Sequence, residues 1–359
     1  MGKVKTEKIA LDGFGSYLGM EKGCYIVKDK NGNIERYPQF ENQIGEVILR
    51  SGNMVSVGAL ANFGFWNIDV LIMTQKGMPV ATLRSIDDDS HVETRIKQYQ
   101  ALDNGKGIEI ATQIIRGKLK GQNELLRKYG LRQHDLYAIK TKLDEISKHD
   151  IDTARRKLLA LEGHCTDRYY EQIFQLLPET LRISKRKTYQ AYDGVNNILN
   201  LAYTMLKWKV IKAITNAKLE LYLGFIHSVK FGKPSLVCDL MELYRFLCDD
   251  YVIQFCHKLN KRDFTVKTES CSSNRKGKRE YLNDKKTMNL MRDLTEYFEK
   301  TVDVARIMHG NRQSIDTLIC EEALLLAKYL RNERKAWIPR IGITGEKDNV
   351  FENFIPTKL

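Results

Sequence analysis

Three carboxylates and one histidine stand out in this sequence for what they could do beyond packing. Glu162 interrupts an apolar run, LLALEGHCTDRYY, in which Leu158, Leu159 and Leu161 can pack. Burying an unpaired carboxylate is strongly unfavourable. A buried Glu162 therefore needs an arginine, a lysine or a metal, whereas a Glu162 on the polar face of its helix needs nothing. His227 follows Phe225 and Ile226 in LELYLGFIH, where it can be a satisfied core or cap residue or a ligand. Asp239 and Glu242, three apart in SLVCDLMELYRFLC (235–248), share one flank of an expected helix. The stripe of that helix is Leu236, Leu240, Leu243 and Leu247. Arg245, three further on, can pair with Glu242, so the plainest reading of the flank is a solvated acidic face with one ion pair.

Glu162, His227 and Glu242 together would form a hard, mixed oxygen and nitrogen donor set. Zinc usually takes more histidine or cysteine. Two carboxylates and one imidazole with open positions suit Mn²⁺ or Mg²⁺, and manganese tolerates the nitrogen better. Such an ion could polarise a phosphodiester. Lys230 and Lys233 lie in the turn between His227 and Asp239. With Arg245 and the run Lys185, Arg186 and Lys187, they could hold phosphates if the fold brings them near. Taken singly, each also reads as ordinary solvated surface.

The bulk properties favour a polyanionic partner. The net charge is +13, which puts nucleic acid first and an acidic membrane second. The charge is uneven: residues 1–86 carry +2 and residues 87–359 carry +11, so the second part is the expected contact surface. Apolar residues at 43% allow a large core and exclude wholesale disorder. The seven cysteines, at 24, 165, 238, 248, 256, 271 and 320, are odd in number and form no CxxC pair. That argues against a disulfide framework or a zinc ribbon and for a reducing cytoplasm. The most apolar window, 55–73, is broken by Asn62, Asn67 and Asp69, so no membrane span or membrane partner is expected.

The elements that must position these residues fall into two parts. In residues 1–86, CYIVKDKNGNIERYP (24–38) reads as a hairpin around Asn-Gly. GEVILRSG and VLIMTQKGMPVATL read as further strands, with turns at Gly52 and Lys76-Gly77, and SVGALANFGFW as a short helix. After RSIDDDSH (84–91) the periodicity is helical. Helices are expected over 108–130, closing on Gly130, over 152–177, over 193–214 with Asp193 as N-cap, and over 311–331. Residues 267–286 read as an exposed, polar, basic loop, and residues 332–359 as a polar, mobile tail. The expected fold class is α+β: a β-rich domain at 1–86, a linker at 87–92 and a larger all-helical catalytic domain at 93–331.

Several of these segments together resemble the CRISPR-associated integrase family, the nuclease of spacer acquisition. They are LEGHCTDRYY (161–170), NNILNLAYTML (196–206), LYLGFIHSVKFGKPSLVCDLMELYR (221–245), EEALLLAKYL (321–330) and, in the β-rich part, residues 45–83. The resemblance implies one divalent-metal site whose glutamate, histidine and final acid match Glu162, His227 and Glu242. Some members carry aspartate at that last place, one methylene shorter. Asp239 matches a second acid, here ranked as supporting. The loop bearing Lys230 and Lys233 varies among members, so those two carry over least securely. The reaction implied is transesterification, in which the 3′-hydroxyl of a short DNA fragment attacks a phosphodiester in the CRISPR repeat. Hydrolysis is the same chemistry with water. His227 is then either a ligand or a general acid/base. The partners implied are both DNAs, a second copy of the chain through the β-rich domain, and a small ferredoxin-like adaptation protein. Two other readings stay open on the residues alone: a structure-specific nuclease acting on branched DNA in repair, and a non-catalytic nucleic-acid scaffold.

Overall fold

The computed structural model describes residues 6–11, 13–39, 43–75, 79–85, 92–147, 149–189, 191–272, 275–303 and 312–340. The chain divides into two compact units, Met1–Ser90 and His91–Leu359.

The first unit holds two four-stranded sheets. In one, β1 (Thr6–Leu11), β5 (Gln43–Arg50) and β7 (Asp69–Met73) run parallel, and β8 (Pro79–Leu83) closes the edge antiparallel. In the other, β2 (Tyr17–Glu21), β3 (Cys24–Lys28) and β4 (Ile34–Pro38) form an antiparallel meander, with β6 (Met54–Val55) parallel beside β2. The expected Asn-Gly hairpin is β3–β4. Its loop is fixed by Asp29, whose carboxylate accepts from the backbone of Asn31 and Asn33 at 2.8 Å each. Helix α1 (Val57–Phe65) starts at Ser56, whose hydroxyl accepts from the Ala59 amide. It buries Phe63 stacked on Tyr25, with ring centroids 4.6 Å apart. The turn expected at Lys76-Gly77 lies outside the described residues.

The second unit is mostly helical around one core. It comprises α2 (Val92–Gln100), α3 (Lys106–Lys128), α4 (Leu136–Ile146), α5 (Ile151–Ile173), α6 (Gly194–Asn216), α7 (Ser235–Met241), α8 (Arg245–Cys256), a hairpin of β9 (Phe264–Ser272) and β10 (Arg275–Leu282), α9 (Asp284–Glu299), the short β11 (Thr301–Asp303) and β12 (Arg312–Ser314), and α10 (Ile315–Leu330). The α+β class is borne out, and Asp193 caps α6 by accepting from the Asn196 amide at 2.7 Å. Helix α3 packs against α4, α5, α7 and α8 and is buried over most of its circumference. Charged residues on such a helix must be paired. Arg116 meets Asp144 at 2.8 Å, and Lys118 meets two glutamates discussed below.

Three expectations are corrected. Residues 235–248 are two helices: around Glu242, Leu243 and Tyr244 the amides bond three residues back, to Asp239, Leu240 and Met241, and a turn joins α7 to α8. The four-leucine stripe is nevertheless buried throughout. The segment expected as a loop at 267–286 is largely the β9–β10 hairpin, registered from Phe264 opposite Leu282 to Arg275 opposite Ser272, followed by α9. Charged residues run consecutively along β10, at Arg275-Lys276 and Lys278-Arg279-Glu280, which hides the period-2 signal of a strand. The start of the presumed tail is docked. Trp337 is buried, and Arg340 pairs with Glu321 at 2.8 Å and with Glu322 at 3.2 Å. Residues 341–359 lie outside the described residues. Among the described residues no helix is long and apolar enough to cross a membrane, and Cys24, Cys165, Cys238, Cys248, Cys256 and Cys320 are free thiols.

Candidate active site

The site is built where α3, α5 and the α7–α8 turn meet. Lys118 lies in line with Ile110 and Ile114 at four-residue spacing, so its stem is carried into the core with them. Its ammonium contacts Glu162 from α5 and stands 2.7 Å from Oε2 of Glu242. The lysine and Glu242 side chains are 6% and 7% exposed, against 20% for Glu162. Two carboxylates that are 80 residues apart in sequence thus converge on one positive charge. Glu162 also accepts from the Thr166 hydroxyl at 2.9 Å, one helical turn on. Thr166 accepts from Gln122 at 3.2 Å, and Gln122 in turn meets the His134 ring at 3.0 Å. Burial, with Arg168 nearby, pulls that imidazole down to about 4, so it is neutral at pH 7.

Glu242 has a second cation. Arg245 reaches its Oε1 at 3.0 Å, three residues on, as the sequence spacing allowed. Burial pushes the Glu242 carboxyl up, but Arg245, Lys118 and His227 outweigh it and hold the group down at about 2. The acid is therefore a buried carboxylate held by cations, and the solvated-face reading of the Asp239/Glu242 flank is overturned.

Asp239 is wholly buried and has a distinct task. Its carboxylate accepts from the backbone amides of Phe225 at 2.5 Å, Ile226 at 2.9 Å and His227 at 3.1 Å, and meets Nδ1 of His227 at 2.6 Å. One side chain on α7 thus fixes the bend at 225–227 and the imidazole together. Nε2 is the nitrogen left for a ligand or a proton. An imidazole whose other nitrogen is held by a carboxylate is the usual arrangement of a metal-bound histidine. The approach needs glycine at 224, where an added Cβ would lie 2.8 Å from Asp239 Oδ2 and from the His227 carbonyl.

The basic residues divide. Arg245 stacks over Tyr203 at 5.0 Å, and Arg186, from the run Lys185–Lys187, lies over the same ring at 5.1 Å. Arg186 is anchored by Asn196 at 2.9 Å and Asn200 at 2.7 Å, while Lys185 and Lys187 are exposed. Lys230 is exposed and Lys233 half-buried. Their turn is closed by the Lys233 amide donating to the Lys230 carbonyl at 3.0 Å, with Gly232 at φ +70°. Beneath Tyr203 sits Asp249, which accepts from Tyr203 and, at 2.8 Å, from Tyr169. Burial raises its carboxyl to about 6, against the hydrogen bonds of both tyrosines and the charges of Arg186 and Arg245.

Sequence reasoning missed Lys118, Thr166, Tyr203 and Asp249 as parts of this arrangement. Lys118 carried a usable signal, a lysine in register with the buried isoleucines of α3. Among the described residues no three His, Cys, Asp or Glu side chains already gather as a metal cage. The donors nonetheless suit a hard divalent cation. The two carboxylates already share one cation, and the imidazole beside them has a free nitrogen and a supporting acid.

Comparison with known proteins identifies the family. The sequence model of the family described as CRISPR associated protein Cas1 matches residues 9–287. The CRISPR-associated endonuclease Cas1 of Korarchaeum cryptofilum is 29% identical over 275 residues, covering 72% of this chain and 80% of the relative. One from Archaeoglobus fulgidus is 26% identical over 354 residues, covering 91% and 97%. One from Pyrobaculum aerophilum is 31% identical over 256 residues, covering 69% and 81%. Among solved structures, a casposase bound to integration product superposes with a TM-score of 0.71 at 20% identity, covering 97% of this chain and 98% of that one. A CAS1 protein from Thermotoga maritima does so at 0.66 and 17%, covering 95% and 100%. A chain of a Cas6-RT-Cas1–Cas2 complex does so at 0.66 and 19%, covering 96% of this chain and 37% of that one. These structural likenesses are likenesses of fold. With the family model spanning most of its length, the chain belongs to the Cas1 family of CRISPR-associated proteins.

Proposed function

We propose that this protein is a divalent-metal-dependent DNA endonuclease and integrase that joins the 3′-hydroxyl ends of short DNA fragments to a CRISPR repeat by transesterification. The observation that carries the reading is the convergence of two carboxylates, the partly exposed Glu162 and the buried Glu242, on one cation beside an imidazole oriented by Asp239. When bound, a Mn²⁺ or Mg²⁺ ion supplies a Lewis acid for the charge that develops on the attacked phosphodiester. Glu162 and Glu242 would hold it, with Nε2 of His227 as third donor or as the group that moves a proton. Asp239 keeps the imidazole in one orientation and one tautomer. Arg245 stays with Glu242 and stiffens the turn that carries it.

DNA as substrate is supported by family membership and by the +11 charge of residues 87–359. The solved relatives that hold an integration product, or sit in a complex named for Cas1 and Cas2, favour the same reading. The proposed partners are accordingly a second copy of the chain and a small ferredoxin-like adaptation protein. The test is covalent joining of a labelled duplex with free 3′-hydroxyls to a supercoiled plasmid carrying a CRISPR repeat, with that small partner added. Joining should need Mn²⁺ or Mg²⁺ and fall at least about 10²-fold in His227→Ala, Glu162→Ala and Glu242→Ala, with DNA binding retained. Joining that survives chelation, or binding lost in parallel with joining, would sink the reading.

A further inference from the structure

The carboxylates proposed to hold the ion are already bridged by a cation that belongs to the chain. Lys118 contacts Glu162 and lies 2.7 Å from Glu242 Oε2. An ammonium and a divalent ion cannot both occupy that point, because like charges this close in a poorly hydrated pocket repel strongly. We propose that Lys118 is the resident counter-cation of the Glu162–Glu242 pair and that a divalent ion loads by displacing its ammonium. This rests on the metal reading above and gives a task to a residue outside the ligand set.

Three features support it. The lysine backbone is fixed in a largely buried helix, in register with Ile110 and Ile114, so only the end of its four-carbon stem is free to move. Arg245 takes Oε1 of Glu242 and leaves Oε2 to the lysine, while Thr166, from within α5, shares Glu162 Oε1 with the lysine and would keep that acid in place when the ammonium leaves. Glu242 Oε2 is buried and, although 2.7 Å from the ammonium, receives no hydrogen bond of proper geometry, so this oxygen is paired by charge alone. The directed hydrogen bond of the lysine goes to Glu162, and its hold on Glu242 is chiefly one of charge, which a stronger point charge can replace. Without the ion, Lys118 offsets the repulsion of two acids that the fold has driven together. Once displaced it remains tethered beside them as a cation able to meet a phosphate, so the ordering is metal first and DNA phosphate second.

The experiment is Mn²⁺ binding to the full chain without DNA, by calorimetry or by the electron paramagnetic resonance of the free ion. Thermal melting with and without Mn²⁺ accompanies it, for wild type, Lys118→Met, Lys118→Gln, Lys118→Arg and Glu242→Gln. Lys118→Met and Lys118→Gln should bind Mn²⁺ about tenfold tighter or more, the size of one close charge pair. Their metal-free forms should melt below wild type and gain more from Mn²⁺, whereas Lys118→Arg should bind no tighter than wild type. Lys118→Gln keeps a hydrogen-bond donor for the acids and covers the case in which Lys118→Met does not fold. A folded Lys118→Gln protein that binds Mn²⁺ no tighter than wild type overturns the proposal while leaving the metal reading intact. Absence of any Mn²⁺ binding sensitive to Glu242→Gln, wild type included, overturns both.

Discussion

At the residue scale, Asp239 shows how one buried charge can organise a site without touching substrate. It takes three backbone amides and an imidazole, so no lone pair of that carboxylate is wasted on water. Asp239→Ala leaves those amides buried and unpaired and should cost about 3 kcal/mol of unfolding free energy, measured by urea titration. Loss of joining in that variant without loss of stability would contradict the role. Asp249 makes a different prediction, about pH. Its folded pKa, about 6, lies above its ordinary 3.8. Folding therefore favours the protonated acid, and the contribution is fully present below the ordinary value and lost as pH rises through the folded one. Between about pH 4 and pH 6 wild type should lose about 2 kcal/mol relative to Asp249→Asn. Parallel stability curves for the two proteins across that window would show that Asp249 is not so placed.

At the element scale, the site depends on how closely α3 approaches α8. Gly121 lies one turn beyond Lys118 on α3, and a Cβ there would run into the ring of Phe246 on α8. Gly121→Ala should force the two helices apart, cost about 1–3 kcal/mol, and loosen Lys118 against Glu242. Thermal melting together with a joining assay checks it, and a variant as stable and as active as wild type would mean that the ring rotates away freely. The turn between α7 and α8 matters for the same reason. A straight helix through 242–244 would carry Glu242 and Arg245 along one regular flank, whereas the three-residue-back bonding there resets the direction of α8 while the leucine stripe stays in the core.

At the scale of the whole molecule, charge is the clearest functional feature. If residues 87–359 bind DNA, affinity should fall linearly with salt on a log–log plot, and Lys230→Ala and Lys233→Ala should each flatten the slope by about 1. An unchanged slope in the double variant would remove the turn from the interface.

Much of this protein was legible in its sequence because the signals are local. Asp193 capping α6, the Asn-Gly hairpin of β3–β4 and the change to helical spacing after residue 91 each depend on neighbours within a few residues, and each is found in the structure. Resemblance to a family pointed to Glu162, His227 and Glu242, but the spacing of Asp239 and Glu242 alone favoured a solvated acidic face. Tertiary structure decided the rest. It broke residues 235–248 into two helices, paired β9 with β10, docked Trp337 and Arg340, and placed Lys118 between two glutamates 44 and 124 residues further along the chain. The physical reason is that periodicity specifies which face of an element is buried, while the partner a buried charge must find is set by which distant element packs against that face.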